Sequence, residues 1–339
     1  MLFRYRAYGL SCSSNTPIPG FLPEEIDENA VDVSLWIGSE VPSWARGVRP
    51  LSANAIYSSS KVVGTTDCGC SVTSFGSGEF FEISYGDGAR FLVDRCGCRL
   101  WASSSPSLTT EYLGTYLCGP IMGFLLRLRG VISFHASAVC VDGQAIVLCG
   151  PSEAGKSTTA AAFALRGLPI LSDDIAALKI LGEEFHVEPG YPRICLWPDT
   201  VRHLFGAQDA LPRLIPEWDK CFLCLDGSRG TFETTPRPLA AIYLLASRHS
   251  GLSVPRIEEI RPQTAMLEFV QHTYMNYLLD ARQRAGEFDV LTKIVTNIPT
   301  RRVIHCGELT DVDEICDLIL KDVRSLSDSR IGALSAADN

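Results

Sequence analysis

The sequence predicts an α/β protein in which a strand–loop–helix core follows a β-rich (α+β) N-terminal region. Three observations carry that prediction. Residues 1 to about 110 hold short apolar runs with period-two alternation and turn signals, the pattern of half-buried strands. After Gly130, strand-like apolar runs alternate with helical stretches, the grammar of an α/β layer fold. Between one such strand and one such helix lies a glycine-rich loop at positions 150–157. The chain has 339 residues, is 46% hydrophobic and 20% charged, and carries a net charge of -9. That composition excludes a disordered chain, and the length predicts two domains, or one large domain with an appendage. The expected boundaries are a β-rich domain over 1–110, with a possible role in substrate recognition, and a core over 111–324. A small, polar tail over 325–339 is expected to be flexible.

The elements follow in order. Residues 31–37 alternate apolar and polar as one strand, and 80–93 read as a hairpin around Gly86-Asp87-Gly88. A polar loop over 103–109 leads to a helix over 111–129, with Thr109 or Thr110 as its N-cap. Strands over 131–141 and 145–149 flank the turn signal Asp142-Gly143. A helix over 158–166 is stopped by Gly167. A short buried strand over 168–171 ends at Ser172-Asp173-Asp174, and 178–180 with 185–187 form a hairpin around Gly182. Residues 242–246 are a further strand, and 262–279 and 282–297 read as helices.

Several function classes are excluded early. The acidic balance argues against a general nucleic-acid binder, which needs Lys and Arg for phosphate contacts. No apolar run approaches the length of a membrane span; the most apolar stretch, 113–128, is interrupted by Gly119, Pro120, Gly123 and Arg127. No apolar core follows Arg4 and Arg6, so no secretory signal is expected. The 13 cysteines are an odd number and cannot form a closed disulfide framework. A reducing cytoplasm is therefore the expected setting. Cys68-Gly69-Cys70 and Cys96-Gly97-Cys98 would bring four thiolates together if their segments were paired strands. Their spacing is tighter than that of structural zinc sites, so free thiols are expected. Cys221 and Cys224 lie in an apolar run and read as core packing.

Gly150-Pro151-Ser152-Glu153-Ala154-Gly155-Lys156-Ser157 fits G-x-x-x-x-G-K-[ST] at every fixed position, followed by Thr158. The loop leaves a strand and opens a helix, which is the context that gives this motif meaning. Glycines let successive N–H groups point inward, and the helix N-terminus adds positive partial charge toward a phosphate. Lys156 would then bridge the terminal phosphates of a nucleotide, and the Ser157 hydroxyl would ligate Mg2+. Glu153 would repel phosphate and is expected to point outward. Asp173 and Asp174 follow a short strand at the distance where such a site needs carboxylates, one for the metal and one to accept a proton. His135 lies on the strand before the loop strand; by itself it reads as a packed core residue.

Residues 135–139 (His-Ala-Ser-Ala-Val), the 150–158 segment and Ser172-Asp173-Asp174 together resemble the catalytic core of HPr kinase/phosphorylase. They are closer still to its shorter bacterial relatives, the HPr-kinase-like serine kinases, some of which sit in peptide-modification clusters, the lasso-peptide kinases among them. The strong motifs span about 131–200, with looser similarity to about 310. Residues 189–193 and 196–199 also look like segments of these relatives. Glu153 stands where relatives carry a small residue, and 189–198 replaces their glycine-rich signature.

The resemblance implies a P-loop kinase core of the HPr kinase/phosphoenolpyruvate carboxykinase type that uses ATP and Mg2+. It implies phosphoryl transfer to a serine or threonine hydroxyl of a peptide or small protein. By position it makes Asp173 the general base, with His135 and Lys156 beside it. Asp174, Ser157 and Glu188 fall on the metal side. Arg193 and Arg248 would contact phosphate or substrate. Two other readings stand beside this one: a kinase of a small hydroxylated metabolite, and a nucleotide-binding regulator or scaffold without transfer chemistry. Association into a homo-oligomer is left open.

Overall fold

The computed structural model describes residues 2–45, 53–59, 69–105, 108–246, 254–278, 280–305 and 309–337. The chain divides into two compact units. One comprises Met1–Val131, Leu214–Trp218 and Met275–Gln283; the other comprises Ile132–Arg213, Asp219–Tyr274 and Arg284–Asn339.

The first unit is built on eight strands: β1 (Phe3–Ala7), β2 (Leu10–Ser14), β3 (Val33–Ile37), β4 (Asn54–Ser58), β5 (Cys70–Phe75), β6 (Phe80–Tyr85), β7 (Arg90–Asp94) and β8 (Arg99–Ser103). They form one sheet in the order β1-β2-β3-β8-β7-β6-β5-β4. β3 pairs parallel with β2 and with β8. β6 and β7 make the expected antiparallel hairpin, turned by Gly88 at φ +95.

Helix α1 (Thr110–Tyr116) opens with the Thr109 hydroxyl accepting the Tyr112 N–H at 3.2 Å. It runs through a π turn at Leu117–Ile121 into α2 (Met122–Leu128). Pro120 sits in that turn; it has no N–H to donate, so a wider turn is tolerated there. The sequence places this helix with the core, but it belongs to the first unit. The cause is aromatic packing: Tyr116 stacks on Tyr85 at 4.0 Å, and Phe124 meets Phe81 edge-on at 5.4 Å.

Cys96-Gly97-Cys98 is a turn rather than a strand, with Gly97 at φ +64. The Asp94 carboxylate accepts the N–H groups of Cys98 and Arg99 at 2.8 and 3.0 Å and fixes that turn. Burial alone would raise the Asp94 pKa, but the bonds from Arg99 and Cys98 hold it below the ordinary value. Cys70 opens β5, which β6 and β7 separate from β8. The two Cys-x-Cys segments are therefore not on paired strands, and Cys68 lies outside the described residues.

The second unit begins with β9 (Ile132–Val141), β10 (Gln144–Cys149), α3 (Lys156–Leu165), β11 (Ile170–Ser172), β12 (Ile175–Leu181) and β13 (Glu184–Glu188). It continues with β14 (Arg193–Leu196), α4 (Pro198–Phe205), β15 (Cys221–Cys224), β16 (Arg237–Leu245), β17 (Arg256–Glu259) and α5 (Pro262–His272). α6 (Ala281–Asn297, in this unit from Arg284 on), β18 (Thr300–Ile304) and α7 (Val312–Ala337) complete it. Its sheet runs β10-β9-β12-β13-β16-β18-β17, and β10 also pairs parallel with β16. β9 and β10 are joined through Asp142 and Gly143, both at positive φ, as a tight hairpin requires.

Alternation along β9 shows why this sheet is covered on both faces. Ile132, Phe134, Ala136, Ala138 and Cys140 pack with Phe269 of α5 and with Leu291 and Ile294 of α6. Val139 and Val141 face the other way, into a core shared with Phe163 of α3 and Ile315, Cys316 and Ile319 of α7. Near its start, the same odd-numbered face carries Ser133, His135 and Ser137 in place of aliphatic residues.

Two expectations fail here. Residues 262–279 are not one helix: α5 ends at His272, and Thr273 turns extended. Thr273 bridges to Phe134, and the Tyr274 N–H donates to the Ser133 carbonyl at 2.8 Å. A β-branched residue gives up little helix preference to gain that pairing. Nor does the chain fray at 325, because α7 continues to Ala337. Val323 is buried, Leu326 packs on the same core, and the Ser327 hydroxyl donates to Gln144 Oε1 at 3.2 Å.

Candidate active site

β10 delivers the chain to Cys149, and α3 takes it up at Lys156; the 150–155 segment turns between them. Gly150 adopts φ +151, and a Cβ there would lie 2.5 Å from the Leu245 carbonyl oxygen. Gly155, at φ +92, sets the start of α3. Pro151 is half-buried, Ser152 and Glu153 are exposed, and Ala154 is buried. Glu153 is thus turned to solvent, at φ +65. The Lys156 ammonium lies across the loop, donating to the carbonyls of Gly150 and Pro151 at 2.9 Å each. Burial lowers its pKa, opposed by Cys149, Asp174 and Asp173. Thr158 meets Thr200 of α4, hydroxyl to hydroxyl, at 3.3 Å.

The acidic pair splits. Asp173 is 2% exposed, and its carboxylate accepts three bonds. Ser157 Oγ and Ser137 Oγ donate to Oδ1 at 2.8 and 2.7 Å, and the Cys195 N–H donates to Oδ2 at 3.0 Å. Asp174 sits at φ +68, and its side chain is 34% exposed. One of its oxygens is 3.3 Å from His135 Nδ1, and the other accepts the Tyr274 hydroxyl at 3.2 Å. The His135 ring stacks on Tyr274, with centroids 5.7 Å apart. The protein around His135 lowers its pKa, chiefly by desolvation, while Asp174 pulls the other way. Its neutral form is favoured accordingly.

The remaining sequence candidates fall in different places. Glu188 ends β13 opposite Ala177, which is itself opposite Ser133 of β9. It therefore shares the sheet face of Ser133 and His135. Its side chain is 6% exposed with Lys179 at 3.6 Å, and its Oε1 has no hydrogen-bond partner. Ser157 Oγ and the Asp173 carboxylate supply adjacent hard oxygens, whereas the Glu188 Oε1 faces Lys179 at 3.6 Å. This donor set fits Mg2+, which takes few protein oxygens and keeps water. Arg193 is not drawn to the carboxylates; its guanidinium lies 4.3 Å over the Phe222 ring. Arg248 lies outside the described residues.

Four contributors were missed by sequence reasoning: Ser137, Cys195, Lys220 and Tyr274. Ser137 was legible, being two residues after His135 on one strand. Lys220 had no motif around it. Its ammonium sits 5.8 Å from the Trp197 ring centroid. Burial would lower its pKa, but Cys195, Asp174 and Asp173 outweigh burial and raise it. Tyr274 reaches Asp174 across 100 positions of sequence, and no local pattern could reveal that.

Among the described residues, no helix is long and apolar enough to cross a membrane. No protein-family model matches the chain, and no curated protein matches it. Among solved structures, the Hpr(Ser) kinase/phosphatase from Coxiella burnetii is similar at 14% identity, over 61% of this chain and 96% of that chain, with a TM-score of 0.32.

Proposed function

We propose that this chain is a phosphotransferase that moves the γ-phosphoryl group of ATP, in the presence of Mg2+, onto a serine or threonine hydroxyl of a peptide or small protein. One observation carries the reading. Asp173 and Ser157 are joined at 2.8 Å at the start of α3, while the adjacent Asp174 turns away to His135 and Tyr274. Two neighbouring carboxylates thus have two separate environments, as a metal partner and a base require.

The environments favour exchanging the roles that the motif order suggests. Asp173 is buried and bonded to three donors, one of them the hydroxyl that would ligate the metal. It suits positioning of the metal side. Asp174 is open to an incoming hydroxyl and is steadied by His135 and Tyr274. It suits the base. The acceptor oxygen would attack the γ-phosphorus in line, its proton passing to Asp174 as the bond to the β–γ bridging oxygen breaks and ADP leaves. Lys156 would leave the Gly150 and Pro151 carbonyls to meet the β- and γ-phosphate oxygens. Bound Mg2+ would supply charge neutralisation on those oxygens, held by Ser157 and Asp173.

The test is transfer of label from γ-labelled ATP to a panel of serine and threonine peptides. Lys156→Ala should abolish transfer. Asp174→Asn should lower turnover by about 10²–10⁴-fold with little change in nucleotide affinity. Asp173→Asn should raise the Mg2+ concentration needed. Full turnover in Asp174→Asn would remove it as the base, and label appearing only on small hydroxylated metabolites would replace the acceptor class.

A further inference from the structure

The turn between β7 and β8 carries two sulfurs, Cys96 and Cys98, in the first unit; the residues that would transfer phosphate belong to the second. Among the described cysteines Cys96 alone is exposed, and Cys98 is half-buried. The turn is tight. The Gly97 N–H donates to the Asp94 carbonyl at 2.9 Å, and the Asp94 carboxylate takes the N–H groups of Cys98 and Arg99. Cys98 Sγ lies 3.7 Å from the Cys96 carbonyl oxygen, and the Cys96 thiol interacts with the side chains of Cys98 and Asp94.

Two neighbours fix this geometry. Gly97 is at φ +64, and a Cβ there would lie 3.2 Å from Cγ of Arg129. The missing side chain lets Arg129 lie against the turn, where its Nη1 meets Cys98 Sγ at 3.3 Å. Arg129 is itself anchored, with Nη2 on Asp32 Oδ1 at 3.1 Å. The Cys98 sulfur is thus held in place beside a sulfur that faces solvent. Consecutive Cα atoms are about 3.8 Å apart, so a chain bent at Gly97 keeps the two Cα atoms inside the reach of about 7 Å that a disulfide allows. Cys221 and Cys224 offer no such pair: they are three apart on strand β15, which turns them to opposite faces.

We infer that Cys96 and Cys98 are a dithiol site that exchanges with a low-molecular-weight disulfide and closes to an intramolecular disulfide. The exposed Cys96, as its thiolate, attacks one sulfur of the incoming disulfide. That S–S bond breaks, one small thiolate leaves, and a mixed disulfide remains on Cys96. Cys98 gives up its proton and attacks the Cys96 sulfur from the position that Arg129 fixes. The mixed S–S bond breaks and the second small thiolate leaves. Two protein thiols lose two electrons and two protons, and the incoming disulfide takes them up as two thiols. Desolvation first, and then the contacts with Cys98 and Asp94, raise the Cys96 pKa, so exchange calls for mildly alkaline conditions.

The inference rests on no part of the transfer reaction and is tested without nucleotide. Full-length protein is reduced, freed of reductant and held folded in excess glutathione disulfide at mildly alkaline pH. Remaining thiols are then blocked with N-ethylmaleimide and the chain is cut with trypsin. Cleavage after Arg95 and Arg99 releases one short peptide that carries both sulfurs and no other cysteine. From the wild type that peptide should come unblocked and two hydrogens lighter, and dithiothreitol should return it to the dithiol. Cys98→Ser should stop at the mixed disulfide, with glutathione retained on Cys96. Cys96→Ser leaves the half-buried sulfur and should take up glutathione about tenfold or more slowly than Cys98→Ser does. Two blocked thiols in the wild-type peptide, glutathione retained on wild-type Cys96, or a bond from either sulfur to another cysteine overturns the inference. Equal uptake by the two variants overturns it as well, because Cys96 would then have no lead in the exchange.

Discussion

Gly150 and Asp174 hold this site through backbone conformations that ordinary residues resist. At Gly150 the constraint is double: φ is +151, and a side chain would meet the Leu245 carbonyl at 2.5 Å. That contact is backbone on strand β16 and cannot swing aside. Gly150→Ala is therefore expected to cost about 2–4 kcal/mol of stability, read as a lowered denaturation midpoint, and to weaken nucleotide binding as well. At Asp174 the left-handed backbone is one that Asp tolerates better than most residues. Lys220 gives a different kind of prediction. Burial disfavours its charge, but Asp174 and Asp173 favour it, so it tempers the repulsion between the two carboxylates. Lys220→Met keeps the length and removes the charge. Transfer should fall about tenfold or more, while the thermal midpoint should hold, since a partly buried charge is exchanged for an apolar chain. A midpoint that fell with activity would assign Lys220 a structural role only.

At the scale of elements, the end of α5 couples folding to pH. His272 closes that helix, with Glu268 one turn back at 3.6 Å. Burial lowers its pKa, Glu268 opposes, and the charge of Lys156 lowers it further. The folded chain then binds this proton less readily than the unfolded chain, whose histidine titrates near the ordinary value. As pH falls below about 6.5, the unfolded state takes up more protons and stability declines. Urea midpoints measured from pH 7.5 down to 5.5 should drop, and His272→Gln should flatten part of that slope. An unchanged slope would mean that other groups carry it. The same helix shows where sequence reading ends. Its start at Pro262 was legible, because proline is suited to a first helical turn. Its stop was not, because Thr273 leaves the helix to pair with Phe134 of a strand more than a hundred positions earlier. The glycine loop, the β9–β10 turn and the Thr109 cap were all readable from local chemistry. Tyr274 and Lys220 come to the site through tertiary packing alone, and so does the joining of α1 and α2 to the first unit.

At the scale of the whole chain, the cysteines and the C-terminal helix carry the remaining argument. Cys12, Cys149 and Cys316 are buried, with thiols pushed up to about 12 by that burial, so these three behave as small core residues rather than reactive groups. Cys316 belongs to α7, and that helix closes the face of the sheet that carries α3. Arg166 at the end of α3 reaches Asp317 at 2.6 Å and Asp313 at 2.9 Å. Those aspartates are largely solvent-exposed, so the pairs orient the two helices and add little stability. The stabilising contacts are apolar, from Val312 through Ile319 and Val323 to Leu326. The polar composition after residue 325 hides the last of them, because one leucine in a serine-rich stretch leaves no periodic signal. Ending the chain after Arg324 would remove Leu326 and the Ser327 bond to Gln144. A frayed tail would be lost without effect. A helix packed as this one is should lose about 1–2 kcal/mol, a fall of roughly 2–8 °C in the thermal midpoint. Leu326→Ala in the intact chain should reproduce most of that fall. If both variants melted with the wild type, the last turns of α7 would hold nothing in place.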